Sequence, residues 1–134
     1  MLKKFFGTKS DREIKKLYPL VDDINQIFST LENKSDEDLI VRVAELRESV
    51  IQKRQSKKDE LPEFMDKEER AKAILAAEQV QLNAIMPEAF AIVKETCRRM
   101  VGHSWRMLGN EVIWDMVPYD VQLVGAIILH NGKV

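Results

Sequence analysis

Apolar side chains recur at helical spacing along the first part of the chain. After Ser10 they follow at intervals of three or four residues, which places one apolar stripe on a helix: Ile14, Leu17, Val21, Ile24, Phe28 and Leu31. Ser10 and Glu13 have the spacing of a capping box, so the pattern predicts a helix start there. Pro19 lies inside the run. Because an interior proline removes an amide donor and crowds the preceding turn, we expect a kink or a break at that residue.

A second start signal occupies Ser35 to Asp38, and the apolar positions Leu39, Val43, Leu46 and Val50 follow it at helical spacing. Acidic residues at the front and the basic cluster from Lys53 to Lys58 at the back complement the dipole of a helix running in that direction. The polar segment from Ser56 to Pro62 ends in a proline and is predicted to be a connector.

Two more helices are predicted before residue 103. One opens near Asp66, and its abundant alanines favour a helix without defining a deep apolar stripe. The next opens at Pro87, since a proline in the first turn of a helix has no amide bond to lose. Its positions Phe90, Val93, Cys97 and Met100 share one face, and Gly102 is suited to end it.

The pattern is weakest from His103 to Pro118, although Glu111 to Trp114 has the composition of a short strand after the turn at Gly109 and Asn110. A last helix is then predicted from an N-cap at Asp120 to His130. It is apolar nearly all round, so we expect it to be buried on every side. The fold class that results is all-α, with about five helices.

Composition narrows the range of functions. The 134 residues include 21 Lys and Arg against 22 Asp and Glu, so no global positive field favours nucleic acid, which we do not expect as a partner. The single cysteine, Cys97, cannot form an internal disulfide, which fits a reducing compartment. The N-terminus lacks the apolar run of an export signal, and no stretch is long enough to span a bilayer.

The sequence contains none of the strong catalytic or metal-binding motifs: there is no phosphate loop, HExxH, paired CxxC or GxSxG. His103 and His130 are far apart and have no ligand spacing around them, so we assign neither to a metal. Cys97 is expected to be a small buried hydrophobic residue rather than a nucleophile. We therefore predict no catalytic and no metal-binding residue in this chain.

One short segment, from Met116 to Gln122, carries candidate binding chemistry. The carboxamide of Gln122 offers a donor and an acceptor together, so it could recognise the edge of an adenine, with Tyr119 and Met116 supplying apolar surface. Helix capping and ordinary packing explain the same residues, and residue chemistry alone favours that simpler interpretation.

Four blocks of sequence resemble one family in order and in content: Phe6 to Glu13, Ser35 to Leu39, Pro87 to Glu95, and Tyr119 to Lys133. They are similar to the N-terminus of SecA, the bacterial preprotein translocase motor ATPase. The resemblance implies a cytoplasmic motor, peripheral on the inner face of the plasma membrane, that binds the SecYEG channel and uses ATP to push preproteins through it. A homodimer is compatible with this family.

The resemblance also implies an organisation and a site. Residues 1–9 would be an N-terminal tail, and residues 10–134 the helical lead-in to the first P-loop nucleotide-binding domain, cut before its phosphate loop. Gln122 would contact the adenine of ATP, and Met116 and Tyr119 would line the base pocket. The Mg²⁺ ligands and the catalytic carboxylate would lie in sequence beyond this segment, so we expect negligible ATPase activity from these residues alone.

Two features leave a second function class open. Leu2, Phe5 and Phe6 with Lys3 and Lys4 give residues 1–6 the composition of a weak contact with an anionic membrane. The helix stripes would also suit a stand-alone module that binds a protein or lipid partner and has no ATPase activity. The coding sequence downstream distinguishes these classes, because the motor requires an in-frame strand and phosphate loop.

Overall fold

The computed structural model describes residues 9–132 of the chain. The described part is mostly helical and contains one small antiparallel sheet, so the helical class holds but a β-hairpin must be added to it. The elements in order are α1 (Lys9–Lys15), α2 (Tyr18–Leu31), α3 (Asp36–Glu60), α4 (Lys67–Met100), β1 (Ser104–Met107), β2 (Asn110–Ile113) and α5 (Asp120–His130).

The predicted break at Pro19 is confirmed. Helix α1 ends at Lys15, and α2 begins at Tyr18 with the proline in its first turn, where no amide donor is required. The predicted helix start is wrong in detail, because α1 already begins at Lys9 and Ser10 therefore lies inside the helix rather than capping it. The predicted apolar stripe is found on α2, where Val21, Ile24 and Leu31 are buried.

Helix α3 begins with the predicted capping motif. The Ser35 hydroxyl accepts from the amide of Asp38 at 3.0 Å, and the Asp38 carboxylate accepts from the amide of Ser35 at 3.1 Å. These bonds lower the pKa of Asp38. The predicted connector from Ser56 to Pro62 is wrong for residues 56–60, because α3 continues to Glu60, and only Leu61 and Pro62 lie outside the helix. The sequence there is polar but favours helix, and the helix stops at Leu61, whose extended backbone is the conformation a following proline requires.

Helix α4 is one continuous element where two helices were predicted. It begins after Asp66, whose carboxylate accepts from the amides of Glu68 at 2.8 Å and Glu69 at 3.3 Å. Pro87 lies within its 34 residues rather than at a new start. The flanking residues explain the difference: good helix formers precede the proline, and Met86 and Ala91 on either side of it are buried, so packing offsets the lost amide bond.

The chain divides into two compact units. The second unit comprises Asn33–Ala89, thus α3 and most of α4. There the guanidinium of Arg70 donates to the carbonyls of Lys58 at 2.7 Å and Pro62 at 2.9 Å, which satisfies acceptors at the end of α3. Arg42 forms a two-bond pair with Glu88, at 2.6 and 2.8 Å, and these bonds hold the pKa of Glu88 below its usual range.

The first unit contains α1, α2, the hairpin, α5 and the part of α4 from Phe90 onward. Helices α2 and α5 pack against each other, and the buried side chains of this unit include Val21, Ile24 and Ile127. Strand β2 contains the predicted strand positions Glu111 to Ile113 but ends before Trp114. It pairs with β1, with Trp105 opposite Val112. Leu108 and Gly109 form the turn at φ values of 50° and 85°, as the right-handed twist of a tight hairpin demands.

Helix α5 differs from its prediction in two respects. Its N-cap is Tyr119 rather than Asp120, which is the first helical residue. The helix is also not buried on every side: Leu123, Val124 and Ile127 are buried, whereas Val121 and Leu129 are 68% and 66% exposed. One face packs in the first unit, and no other element of the described chain covers the opposite face.

A buried carboxylate joins the end of α4 to the end of α2. Glu95 has no exposed surface, and its oxygens accept two bonds from Arg98, at 2.7 and 2.8 Å, and one from Arg99 at 2.6 Å. Arg99 also donates to the carbonyl of Leu31 at 3.0 Å. These bonds, led by those from Arg98, lower the pKa of Glu95 against the opposing effect of burial.

We expect Glu95→Ala to lower the free energy of unfolding by about 3 kcal/mol, because it leaves two guanidinium groups without their shared partner. Urea unfolding followed by circular dichroism measures this. Since the folded-state pKa of Glu95 is lowered, its contribution is complete above the ordinary value of 4.5 and is lost as the pH falls through the folded-state pKa. The difference between wild type and variant should therefore shrink in acid.

The control for this measurement is Glu63→Ala, since Glu63 is exposed in the connector between α3 and α4. It should change the free energy of unfolding by less than about 0.5 kcal/mol. A Glu95→Ala variant as stable as this control at neutral pH would contradict the structural role of the carboxylate.

Candidate functional site

An open apolar groove lies beside the first turns of α5. Its volume is about 330 Å³, at the lower end of the range of small-molecule sites, and all of its walls belong to the first unit. The groove is formed by α4, by the segment that follows β2 and by α5. The residues that line it are Phe90, Val93, Cys97, Trp114, Met116, Pro118, Gln122, Leu123 and Ala126.

The aromatic wall of the groove is held in place by the hairpin. Trp114 follows β2, and its amide donates to the carbonyl of His103 at 2.8 Å, which extends the ladder by one residue. Its indole Nε1 donates to the carbonyl of Met116 at 2.7 Å, so the ring and the Met116 backbone are fixed to each other. The ring also contacts that of Trp105, with 6.1 Å between the centroids. A flat, oriented ring therefore borders the groove.

Gln122 supplies the amide group on the groove wall. It is the third residue of α5, and its Oε1 accepts from the backbone amide of Tyr119 at 2.8 Å. A side chain at this position can reach back to the N-cap amide, which would otherwise lack a partner at the start of the helix. Gln122 remains exposed to solvent. Its amide is thus ordered by the helix start and still accessible from the groove.

A polar bridge fixes the start of α5 to the neighbouring helices. Asn25 on α2 donates from Nδ2 to the Asp120 carboxylate at 2.9 Å, and its Oδ1 accepts from Lys94 on α4 at 2.7 Å. The Lys94 ammonium also lies 4.9 Å from the centre of the Phe28 ring, a favourable cation–π distance. Because Asp120 precedes Gln122 by two residues, this bridge sets the position of the turn that carries the amide.

The structure brings two of the three predicted base-pocket residues together. Met116 and Gln122 both line the groove, whereas Tyr119 is 75% exposed and is not among the lining residues. Whether the three bind a nucleotide stays a prediction. The sequence analysis missed Trp114 and Pro118, whose only signal was their proximity to Met116. Phe90, Val93 and Cys97 share one face of α4, as predicted. This face forms part of the groove wall.

Cys97 is half-buried in the groove wall, and its burial raises the pKa of the thiol. A protonated thiol is a weak nucleophile, so the side chain acts mainly as apolar surface. Within residues 9–132, no group of three or more His, Cys, Asp or Glu side chains is placed to hold a metal ion. In the same range, no helix is long and apolar enough to cross a membrane.

Comparison with known proteins identifies the family. The model of the SecA DEAD-like domain matches residues 2–134, so the chain belongs to the SecA DEAD-like domain family. A protein translocase subunit SecA of Chlorobaculum tepidum is 41% identical and covers all of this chain; that of Chloroherpeton thalassium is 41% identical over 99% of it. The SecA subunit of Prosthecochloris aestuarii is 38% identical over 98% of this chain.

The chain spans about 15% of the length of these curated relatives. No solved structure matches it. The family is therefore identified by sequence comparison alone, and the groove is observed in the structure of this chain.

We expect iodoacetamide to alkylate Cys97 about tenfold more slowly in the folded protein than in the same protein in urea, because folding both shields the thiol and raises its pKa. Mass spectrometry of quenched samples at neutral pH gives both rates. With a single cysteine in the chain, every thiol adduct reports on this site. Equal rates would show that the groove wall does not protect the thiol.

Proposed function

We propose that this chain is the base-recognition segment of an ATP-driven protein-export motor. Its membership in the SecA DEAD-like domain family supports the motor, and the relatives are named as protein translocase subunits. The groove supports the base-recognition role. The motor would act on preproteins at the SecYEG channel, from the cytoplasmic side and peripheral to the membrane.

The observation that carries the proposal is the accessible amide of Gln122 on the wall of an apolar groove. A purine base has flat apolar faces and a polar edge, so a site for it needs apolar contacts on the faces and paired donors and acceptors at the edge. Trp114 and Met116 supply the apolar contacts to the faces, and the carboxamide of Gln122 supplies the donor and acceptor at the edge. An adenine fits this chemistry better than a charged or purely aliphatic ligand.

Each predicted residue has a separate role in this proposal. Gln122 would bond the adenine edge, and Met116 would pack against the base with its flexible thioether. Tyr119 stands exposed at the start of α5 and would contact the nucleotide from outside the groove. The triphosphate and Mg²⁺ would be held by the rest of the motor, since this segment offers contacts to the base only.

Two further partners remain proposals. Residues 1–6 would touch an anionic membrane surface through Lys3 and Lys4, with Phe5 and Phe6 entering the interface, but these residues lie outside the described part of the chain. A homodimer of the whole motor is compatible with the family. The alternative of a stand-alone interaction module is not favoured, because the family match covers nearly the entire chain.

Titration of the ¹⁵N-labelled chain with adenosine, followed by NMR, tests the proposal. We expect binding in the millimolar range, because a base without its phosphates makes few contacts. The shifted resonances should include those of Trp114 and Gln122. Gln122→Ala should weaken binding about tenfold, since it removes the edge contacts while leaving the apolar walls.

The matched control is Gln26→Ala, which removes an exposed amide from α2 and does not touch the groove. This variant should bind adenosine as the wild type does. Adenosine that shifts no groove resonance, or that binds Gln122→Ala and wild type equally, would contradict a base-recognition role.

A further inference from the structure

We propose that the outer edge of strand β1 is a docking site for an extended acidic segment of a separate protein, which would join the hairpin as a third strand. All four residues of β1 are exposed, and none of them lines the groove beside α5. The docking site is therefore separate from base recognition and does not depend on it. Three features of β1 define the partner: its backbone groups, its apolar face and one arginine.

Part of the β1 backbone points away from the hairpin. The two-residue turn makes Met107 a member of a hydrogen-bonded pair with β2, and the alternation of an antiparallel ladder gives Trp105 the same role. The N–H and C=O groups of Ser104 and Arg106 are therefore directed to the outer edge. Within residues 9–132, no other element forms a backbone hydrogen bond with either residue. An extended chain presents donors and acceptors that match this spacing of about 7 Å.

One face of β1 is apolar and accessible. Trp105 and Met107 lie on this face, because alternate residues of a strand point to the same side, and they are 39% and 55% exposed. A two-stranded ribbon is only marginally stable by itself, and a third strand that covers these side chains would stabilise it. The partner segment should therefore carry apolar residues at two alternate positions, opposite Trp105 and Met107.

The other face of β1 carries an arginine that lacks a carboxylate partner. Arg106 lies opposite Glu111 in the register, but the Glu111 carboxylate accepts instead from the Ser104 hydroxyl at 2.8 Å. Arg106 forms no salt bridge with any residue that the structure describes. Opposite charges that face each other across neighbouring strands stabilise a sheet. An acidic residue between the two apolar positions of the partner segment would supply this charge.

The charge requirement favours a separate protein over a second copy of this chain. Strand β1 contains no acidic residue, so pairing of β1 with the same strand of another copy leaves Arg106 without a carboxylate in every register. Residues 1–6 contain lysines and no acid, so they would not suit the edge either. Pairing of β1 with β2 of another copy would supply Glu111, but such a head-to-tail contact leaves a free edge at each end and propagates without closure.

Short peptides test the pairing. The probe is acetyl-Thr-Val-Glu-Val-Thr-amide, in which the glutamate would lie opposite Arg106 and the valines opposite Trp105 and Met107. A second peptide has glutamine in place of the glutamate. Two more carry one N-methyl group each: on the glutamate, whose N–H would face β1, or on the second valine, whose N–H would face solvent. Each peptide is titrated into the ¹⁵N-labelled chain and followed by NMR.

We expect the probe to bind in the millimolar range, since one short edge offers few contacts. Binding should slow hydrogen exchange at the amides of Ser104 and Arg106. The glutamine peptide should bind about threefold more weakly, as a single cross-strand charge pair allows. N-methylation of the glutamate should weaken binding about tenfold, because it removes a hydrogen bond and blocks the close approach of the strands. N-methylation of the second valine should have little effect.

Arg106→Gln tests the role of the arginine. This variant should bind the glutamate and glutamine peptides equally, because the charge that distinguishes them is gone. The matched control is Arg47→Gln, which removes an exposed arginine of α3 in the other unit and should keep the threefold preference. A preference for the glutamate peptide that survives in Arg106→Gln would overturn the proposal.

Other outcomes would also overturn it. These are absence of binding, equal effects of the two N-methyl groups, and shifts of the Ser104 and Arg106 amides that depend on protein concentration without peptide, which would assign the edge to a second copy. If the peptide binds this chain but not the full-length motor, the motor itself covers the edge. No nucleoside is present in these titrations, so each such failure leaves the proposed base recognition untouched.

Discussion

The packing of helix α5 on helix α2 determines where the candidate site residues stand. The side chains of Leu123, Val124 and Ile127 are buried, and Val21 and Ile24 of α2 belong to the same core. Burial of each such side chain contributes about 1.5–3 kcal/mol, so this contact sets the rotation of α5 about its axis. Because α5 buries one face, its opposite face is turned away from the core, and Gln122 lies outside the buried face. The groove is therefore a consequence of core packing.

Polar contacts then fix the position of α4 along α2 at two points. Lys94 bonds Asn25 near the middle of α2, and Arg99, paired with the buried Glu95, bonds the carbonyl of Leu31 at its end. Two points of attachment define the register of α4, and thereby the position of the groove residues that α4 carries. A buried carboxylate stabilises little compared with apolar packing of the same volume, but it allows few alternative arrangements.

Local signals in the sequence predicted the features that local physics decides. The capping box at Ser35 and the break at Pro19 depend on neighbouring residues alone, and both were predictable. The position of Pro87 inside a continuous helix was not predictable. A proline can begin a helix or lie within one, and the packing of distant side chains decides between the two. Gln122 was a candidate from its carboxamide chemistry, and the family resemblance was what favoured a binding role over simple capping. The groove was beyond sequence reasoning, since its walls come from three segments whose alignment depends on the whole first unit.

A side-chain amide that already caps its own helix can bind a base with a smaller loss of conformational freedom. A side chain that becomes ordered only when a ligand arrives loses about 0.5–1.5 kcal/mol of conformational freedom at that moment. Gln122 has already lost this freedom on folding, because the Tyr119 amide holds it. The same bond occupies only one of the two lone pairs on Oε1, so capping and base recognition do not compete for it. Helix capping was the simpler interpretation of this glutamine, and in this geometry it would also order the side chain for the proposed contact with a base.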